Sequence, residues 1–537
     1  MNNKYWRKGL SIGLAVALMA GTLVGCGEKK DQKQPASEVK QEETKVEQKT
    51  EEKAPVEIEF MLLNNKGTDD KQFLAKKIFK DKFNVDAKFL LNTKDAHSEK
   101  LKLLIASNQL PDVVCPIIDE NAKDIGPKGA LVPVDEHFDK MPNFEKYMKE
   151  DKAVYTSCMA SDEHIYFIPR FATDSVNFKQ VPMIRKDLVE KYNLSMPETF
   201  DDLYDVLKTI KKEEPSIAGV INRNKINFLN TFGPYYNTDV GMYYNKEKDA
   251  WEFGPLHEGY KELLTTMNKM WKDELLDQDF FTASTQQWEE KMVNGAGVFT
   301  VDYGVRATNA NEAYKKLHPE DKDFNWDLMM PLTTNTNKTK RLNVAQSVGT
   351  FTSWGISTNT KHLDRILEIV DYMFTDEATT LFQWGEKDVT YIEDGDKKKF
   401  ASNIKASYNP EGTIEADNEL GINNLNFMRV SKDDGVTMFA QPVADMFEQY
   451  KKDVELYENN YKINLTFTEE QQEKINNLNV NLNTMVTEMT VKFITGEKSL
   501  EEMDQFIQDL EKNGAKELEE IYTTSYKDYQ QKLSNIK

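Results

Sequence analysis

The chain is poor in the residues that mark several protein classes. It has three cysteines among 537 residues, Cys26, Cys115 and Cys158, too few for a disulfide-stapled scaffold. Bases are outnumbered: 69 Lys and Arg stand against 90 Asp and Glu, a formal charge of −21. That balance excludes a general nucleic-acid binder, which needs a basic footprint. One long uncharged run occurs, Gly9–Gly25, and the mean hydropathy is −0.65, which excludes a multispanning membrane protein. The six histidines, at 97, 137, 164, 257, 318 and 362, include no closely spaced metal pair and no HExxH. There is no P-loop and no GxSxG elbow. Gly295-Ala296-Gly297 lacks the third glycine of a dinucleotide turn. Carboxylate pairs such as Asp201-Asp202 and Glu289-Glu290 read as solvated helix faces in so acidic a chain. No catalytic constellation, cofactor or metal site is therefore expected.

What is present begins with Lys4, Arg7 and Lys8, followed by the uncharged run Gly9–Gly25. Seventeen residues are short for a membrane span and suit the apolar core of a signal peptide. The run ends in Leu23-Val24-Gly25-Cys26-Gly27, which resembles a bacterial lipobox. Residues 1–25 are thus expected to be a lipoprotein signal peptide, with Cys26 carrying diacylglycerol at the outer face of the cell membrane. Residues 26–54 follow as a tether. From 27 to 54 the chain has eight acids, seven lysines and no aromatic residue, a composition expected to stay disordered. As a coil it would span roughly 30 Å.

Residues 55–537 form the expected folded body. Apolar residues are 39% of the chain, enough for a sizeable core, and the length alone suggests three to four domains at about 150 residues each. Val56, Ile58 and Phe60 alternate with Glu57 and Glu59 and lead into Met61-Leu62-Leu63, a first strand. Helical spacing follows over 69–83 and 98–109, then the apolar run Val113–Ile118. This β–α–β–α–β order predicts a parallel sheet with crossover helices. Ligands of such sheets bind at the carboxyl ends of the strands, where Asn64 and Asp119 fall. Thr199 reads as an N-cap with Asp202 at N3, and Leu203, Val206, Leu207 and Ile210 as the apolar face of that helix. Asp394-Gly395 reads as a hairpin turn. Cys115 lies in an apolar run and reads as a buried thiol; a Cys115–Cys158 disulfide is the other reading for an exported protein.

The aromatic inventory suits sugar binding, since a ring covers the apolar face of a sugar while polar side chains take its hydroxyls. Trp271 and Trp288 sit on helix faces and read as core. Tyr235, Tyr303, Trp354 and Trp384 stand near Gly or Pro, at turns or strand ends, and read as better cleft candidates. Arg170 follows the strand-like run Tyr166–Pro169. Asp302 and Tyr303 end the strand that begins at Val298.

Four blocks carry a resemblance. Residues 166–170, Tyr-Phe-Ile-Pro-Arg, precede Met183–Leu188, and Tyr192-Asn193-Leu194-Ser195-Met196-Pro197-Glu198-Thr199-Phe200 follows. Leu381-Phe382-Gln383-Trp384-Gly385 precedes Tyr391 and Asp394-Gly395, and Thr495-Gly496-Glu497-Lys498-Ser499 runs to Gly514, Tyr522 and Tyr526. In order, behind a lipobox, they resemble the bacterial extracellular solute-binding proteins, family 1, of the LplA-like lipoprotein type. Leu188 replaces a family tryptophan, and Gly385-Glu386-Lys387-Asp388 lacks a second glycine, so the chain is similar to a divergent member. Some relatives have a calcium loop after the helix at 200–212. This chain has Lys211–Ser216 there, and no calcium is carried over.

The resemblance implies an α/β, two-lobe periplasmic-binding-protein-like fold (type II), with hinge crossovers and a helix-rich C-terminal part. It places lobe 1 at about 55–175 plus 305–400, and lobe 2 at about 176–304 plus 401–537. It implies a monomeric, non-catalytic protein that captures an oligosaccharide between the lobes for ABC permease subunits. Asn64, Asp119, Arg170, Tyr235, Asp302, Tyr303, Arg306, Trp354 and Trp384 are the expected ligand-binding residues. A peptide ligand, a tethered polysaccharide hydrolase or lyase, and a receptor feeding a sensor kinase are the competing readings.

Overall fold

The computed structural model describes residues 54–63, 73–117, 119–171, 178, 180–343, 348–395, 397–406, 409, 411–422, 429, 441–457, 463 and 465–535. The first strand, β1 (Val56–Leu63), alternates at its start and then buries Phe60, Met61 and Leu62 in succession. A strand covered by helices on both faces reads this way. Next come α1 (Leu74–Phe83), β2 (Val85–Asn92), α2 (Lys94–Ala106), β3 (Val113–Ile117) and α3 (Asp119–Ile125). Both β2 and β3 run parallel to β1, as the alternation of strands and helices requires. Helices α4 (Pro142–Glu150) and α5 (Lys152–Cys158) lead to β4 (Ile168–Phe171).

A second set follows: β5 (Val181–Arg185), α6 (Phe200–Glu213), β6 (Ala218–Val220), α7 (Glu258–Lys272), α8 (Thr285–Val293), β7 (Gly297–Asp302), α9 (Val305–Leu317) and β8 (Trp326–Leu328). Helix α6 starts on the capping box read from the sequence. Thr199 Oγ1 accepts from the Asp202 amide at 3.0 Å, and the Asp202 carboxylate accepts from the Thr199 amide at 2.9 Å. Leu203, Val206, Leu207 and Ile210 are all buried.

The chain then adds β9 (Val348–Ile356), α10 (Leu363–Met373) and α11 (Asp376–Trp384). It finishes with α12 (Gln441–Asp453), α13 (Glu469–Thr495), α14 (Met503–Lys512) and α15 (Ala515–Asn535). Two sheets result. One has the order β2-β1-β3-β9-β4, with β9 antiparallel to both neighbours. The other has the order β8-β5-β7-β6, with β7 parallel to β6 and antiparallel to β5. Each sheet has its own apolar core. This is the two-lobe α/β architecture.

The lobe assignments differ from expectation at two points. Residues 305–343 were expected in lobe 1, yet α9 and β8 belong to the second sheet. Trp326 of β8 pairs with Arg185 and is buried with Val181, Met183 and Trp288. Lobe 1 also continues past 400, because the Leu420 carbonyl accepts from the Leu74 amide at 2.9 Å. Among the described residues, Phe171 and Val348 belong with the first sheet and Arg429 stacks on Tyr147 beside it, while Phe178, Leu342 and Val443 are buried in a core of the second. Cys115 and Cys158 are buried thiols and no disulfide joins them. The hairpin Tyr391–Asp394 with Lys397–Phe400 turns at Gly395, whose φ of 64° suits glycine. Among the described residues no helix is long and apolar enough to cross a membrane.

Candidate functional site

The parallel pair β6 and β7 brings two carboxyl strand ends side by side. The Ile221 amide continues the ladder to the Phe299 carbonyl at 3.0 Å. Beyond it, Asn222 fixes the loop: its Nδ2 donates to the carbonyls of Lys225 and Phe280, both at 3.0 Å, and its Oδ1 accepts from the Asn224 amide. This sets Arg223 opposite Asp302. The guanidinium donates twice, Nε to Oδ2 at 2.6 Å and Nη2 to Oδ1 at 2.9 Å. Planar fork meets planar carboxylate, the strongest form of such a pair. Asp302 also accepts from the Tyr303 amide at 2.8 Å and is 1% exposed. The hydrogen bonds that Arg223 donates to Asp302 hold the Arg223 pKa above its ordinary value.

Aromatic rings flank that ion pair. The Arg223 guanidinium carbon lies 5.3 Å from the Trp288 ring centre and 5.9 Å from that of Tyr303, within cation–π range. Trp288 is buried and donates from Nε1 to Thr300 Oγ1 at 3.2 Å. Tyr303 is 47% exposed, so it presents apolar surface to solvent beside the ion pair. In the first turn of α9, Arg306 donates to Glu289 of α8 at 2.5 Å, and both keep partial exposure. Asp302, Tyr303 and Arg306 are thereby gathered at one strand end. Arg223 and Glu289 complete the group and are not singled out as site residues by the sequence, while Trp288, read from the sequence as core, is indeed buried beneath it. The signal for Arg223 is slight: it stands two residues beyond the apolar Gly219-Val220-Ile221 run, whereas Asp302 closes its own strand.

At the first sheet, Arg170 lies on β4, paired in register with Gly349 of β9. Its Nε is sealed from solvent and has no hydrogen-bond partner, and burial lowers its pKa. His97 of α2, also unforeseen, is 4% exposed. Its Nε2 lies 2.9 Å from the Pro116 carbonyl near the end of β3. A carbonyl can only accept, so Nε2 carries the proton and Nδ1 is an acceptor, left without a partner. Asp119 opens α3; its side chain lies outside the described residues, as do Asn64 and Cys26. Among the described residues no three metal-ligating side chains converge.

Three expected cleft aromatics belong to the interior instead. Tyr235 is 3% exposed and packs on Phe200 at 5.7 Å between ring centres, and burial raises its pKa. Trp354 is fully buried against Phe60 at 5.7 Å. Trp384 is fully buried against Phe400 at 4.9 Å and Tyr391 at 6.2 Å. Their glycine neighbours mark close packing and element ends, not an open cleft. Gly385 terminates α11 with φ 83°, where a Cβ would collide with Thr390.

A family model for the bacterial extracellular solute-binding proteins matches residues 65–380, more than half of the chain, and the chain belongs to that family. It is 24% identical to the fructooligosaccharide ABC transporter substrate-binding protein FusA of Streptococcus pneumoniae serotype 4, over 82% of this chain and 84% of FusA. It is also 24% identical to the lipoprotein LipO of Bacillus subtilis, over 60% of this chain and 64% of LipO. Its fold is similar to that of an HMO-binding, ABC-transporter-associated solute-binding protein from Bifidobacterium longum infantis, with a TM-score of 0.71 and 16% identity, covering 89% of this chain and 99% of that one.

Proposed function

We propose that this protein captures an oligosaccharide at its strand ends and delivers it to an ABC-type importer, without acting on it chemically. The observation that carries this reading is the half-exposed Tyr303 ring, held over an Arg223–Asp302 pair that rests on Trp288. Such a platform offers an apolar face for a sugar ring, and Arg306 with Glu289 offers donors and acceptors for hydroxyls beside it. The names of FusA and of the Bifidobacterium protein point to the same class of cargo and the same transporter. Anchoring through Cys26 is part of the reading and draws support from the lipoprotein LipO. The protein would work as a monomer.

Isothermal titration against panels of neutral and acidic oligosaccharides tests the proposal. At least one panel member should bind saturably to the wild type, remain chemically unaltered, and bind far more weakly to Tyr303→Ala. Saturable binding that survives Tyr303→Ala unchanged would remove the platform from the site. Turnover of the bound sugar would favour a tethered hydrolase. For the anchor, Cys26→Ser should release the protein into the medium without lipid label; retention at the membrane without lipid would refute it.

A further inference from the structure

The seven arginines among the described residues are not treated alike. Six have a carboxylate neighbour: Arg185 with Asp187, Arg223 with Asp302, Arg306 with Glu289, Arg341 with Glu247 and Glu455, Arg365 with Glu368, and Arg429 with Asp376. Arg170 has none. Among the described residues no hydrogen bond or ion pair engages it, and its Nε is sealed from solvent. Burial alone displaces its pKa, with no opposing contribution from any carboxylate. In a chain with 90 acidic residues and a net charge of −21, a buried cation without a counter-charge is an exception. Desolvating a guanidinium without an anion is costly, and such a group calls for an explanation.

Its position supplies one. Arg170 is the third residue of β4, one residue before the chain first leaves the first sheet for the second. It lies towards the carboxyl end of a strand parallel to β1 and β3, since β9 is antiparallel to both β3 and β4. Ligands of open α/β sheets bind at such ends. The residue as a whole keeps intermediate exposure while Nε is closed off, so solvent reaches the outer, Nη edge of the fork. That edge matches a carboxylate in bidentate geometry.

We propose that Arg170 is a specificity-determining residue that selects saccharides bearing a carboxylate, the ligand supplying the anion that the protein withholds. This rests on the sugar-capture reading and narrows it from oligosaccharides in general to acidic ones. It also assigns the halves different tasks: the Tyr303 platform takes ring faces, and Arg170 takes the charged group.

The test pairs acidic and neutral ligands of one shape. Trimers of galacturonate, mannuronate and glucuronate are titrated into the protein beside their carboxyl-reduced counterparts. At least one acid should bind tenfold or more tighter than its neutral partner, and the preference should shrink as salt is raised from 20 to 500 mM, roughly the range over which screening takes hold. Arg170→Gln should abolish the preference yet raise the melting temperature of the unliganded protein, because it removes an uncompensated charge. Arg170→Lys should keep part of the preference. Equal or better binding of the neutral trimers would overturn the inference and leave sugar capture standing. So would an Arg170→Gln protein that melts higher yet keeps the full acidic preference. Binding of neither series would overturn the inference together with the reading beneath it.

Discussion

At the ends of β6 and β7, four charged side chains are paired with one another: Arg223 with Asp302 and Arg306 with Glu289. On β4 of the other sheet, Arg170 has no such partner, and on α2 the imidazole of His97 keeps an unmatched acceptor. Around the ends of β6 and β7 the charged groups are matched within the protein, whereas on the first sheet two buried nitrogens, Arg170 Nε and His97 Nδ1, are left unmatched. Complete networks rigidify, whereas open ones wait for an outside group.

That contrast can be broken in several ways. The largest effect is expected from Asp302→Ala, which strands a largely buried Arg223. Leaving one partner of a buried pair uncompensated costs about 3–5 kcal/mol, to be read by urea denaturation. A loss under about 1 kcal/mol would mean the pair behaves as a surface salt bridge. Trp384→Ala comes next, at about 3–5 kcal/mol of stability for a core tryptophan. If this variant kept its stability but lost sugar affinity, Trp384 would be a platform and the contrast between the lobes would fail. Tyr303→Ala should alter stability by no more than about 0.5 kcal/mol while weakening ligand binding by about 2 kcal/mol, a loss of roughly 30-fold by titration. The smallest effect belongs to Glu289→Gln. With its carboxylate 44% exposed, the pair with Arg306 should be worth under about 1 kcal/mol in a double-mutant cycle.

Local signals were legible in the sequence, and long-range ones were not. The capping box of Thr199 and Asp202 depends on residues three apart, and its geometry matches the reading. The gathering of Asp302, Tyr303 and Arg306 follows from one strand running into one helix. Arg223 is 79 residues from Asp302, and nothing nearby in sequence announces that partnership. Tyr235, Trp354 and Trp384 misled because glycine beside an aromatic has two physical meanings, an open turn or a tight approach, which spacing does not separate. The lobe boundary slipped because β8 is three residues long and reaches its place only through pairing with β5. The unpaired state of Arg170 is a property of everything around it, and so appears only once the chain is folded.

Trp288 lies sealed beneath the Arg223 cation, its indole hydrogen-bonded to Thr300. A charge fixed over the face of an indole polarises the ring, and the colour of its emission depends on that field. Any ligand that shifts Arg223 will therefore shift the light from Trp288. Trp354 and Trp384, enclosed by aromatic neighbours in the other lobe, will contribute a steady background. The molecule thus carries a built-in optical gauge of events at one strand end, with no label attached.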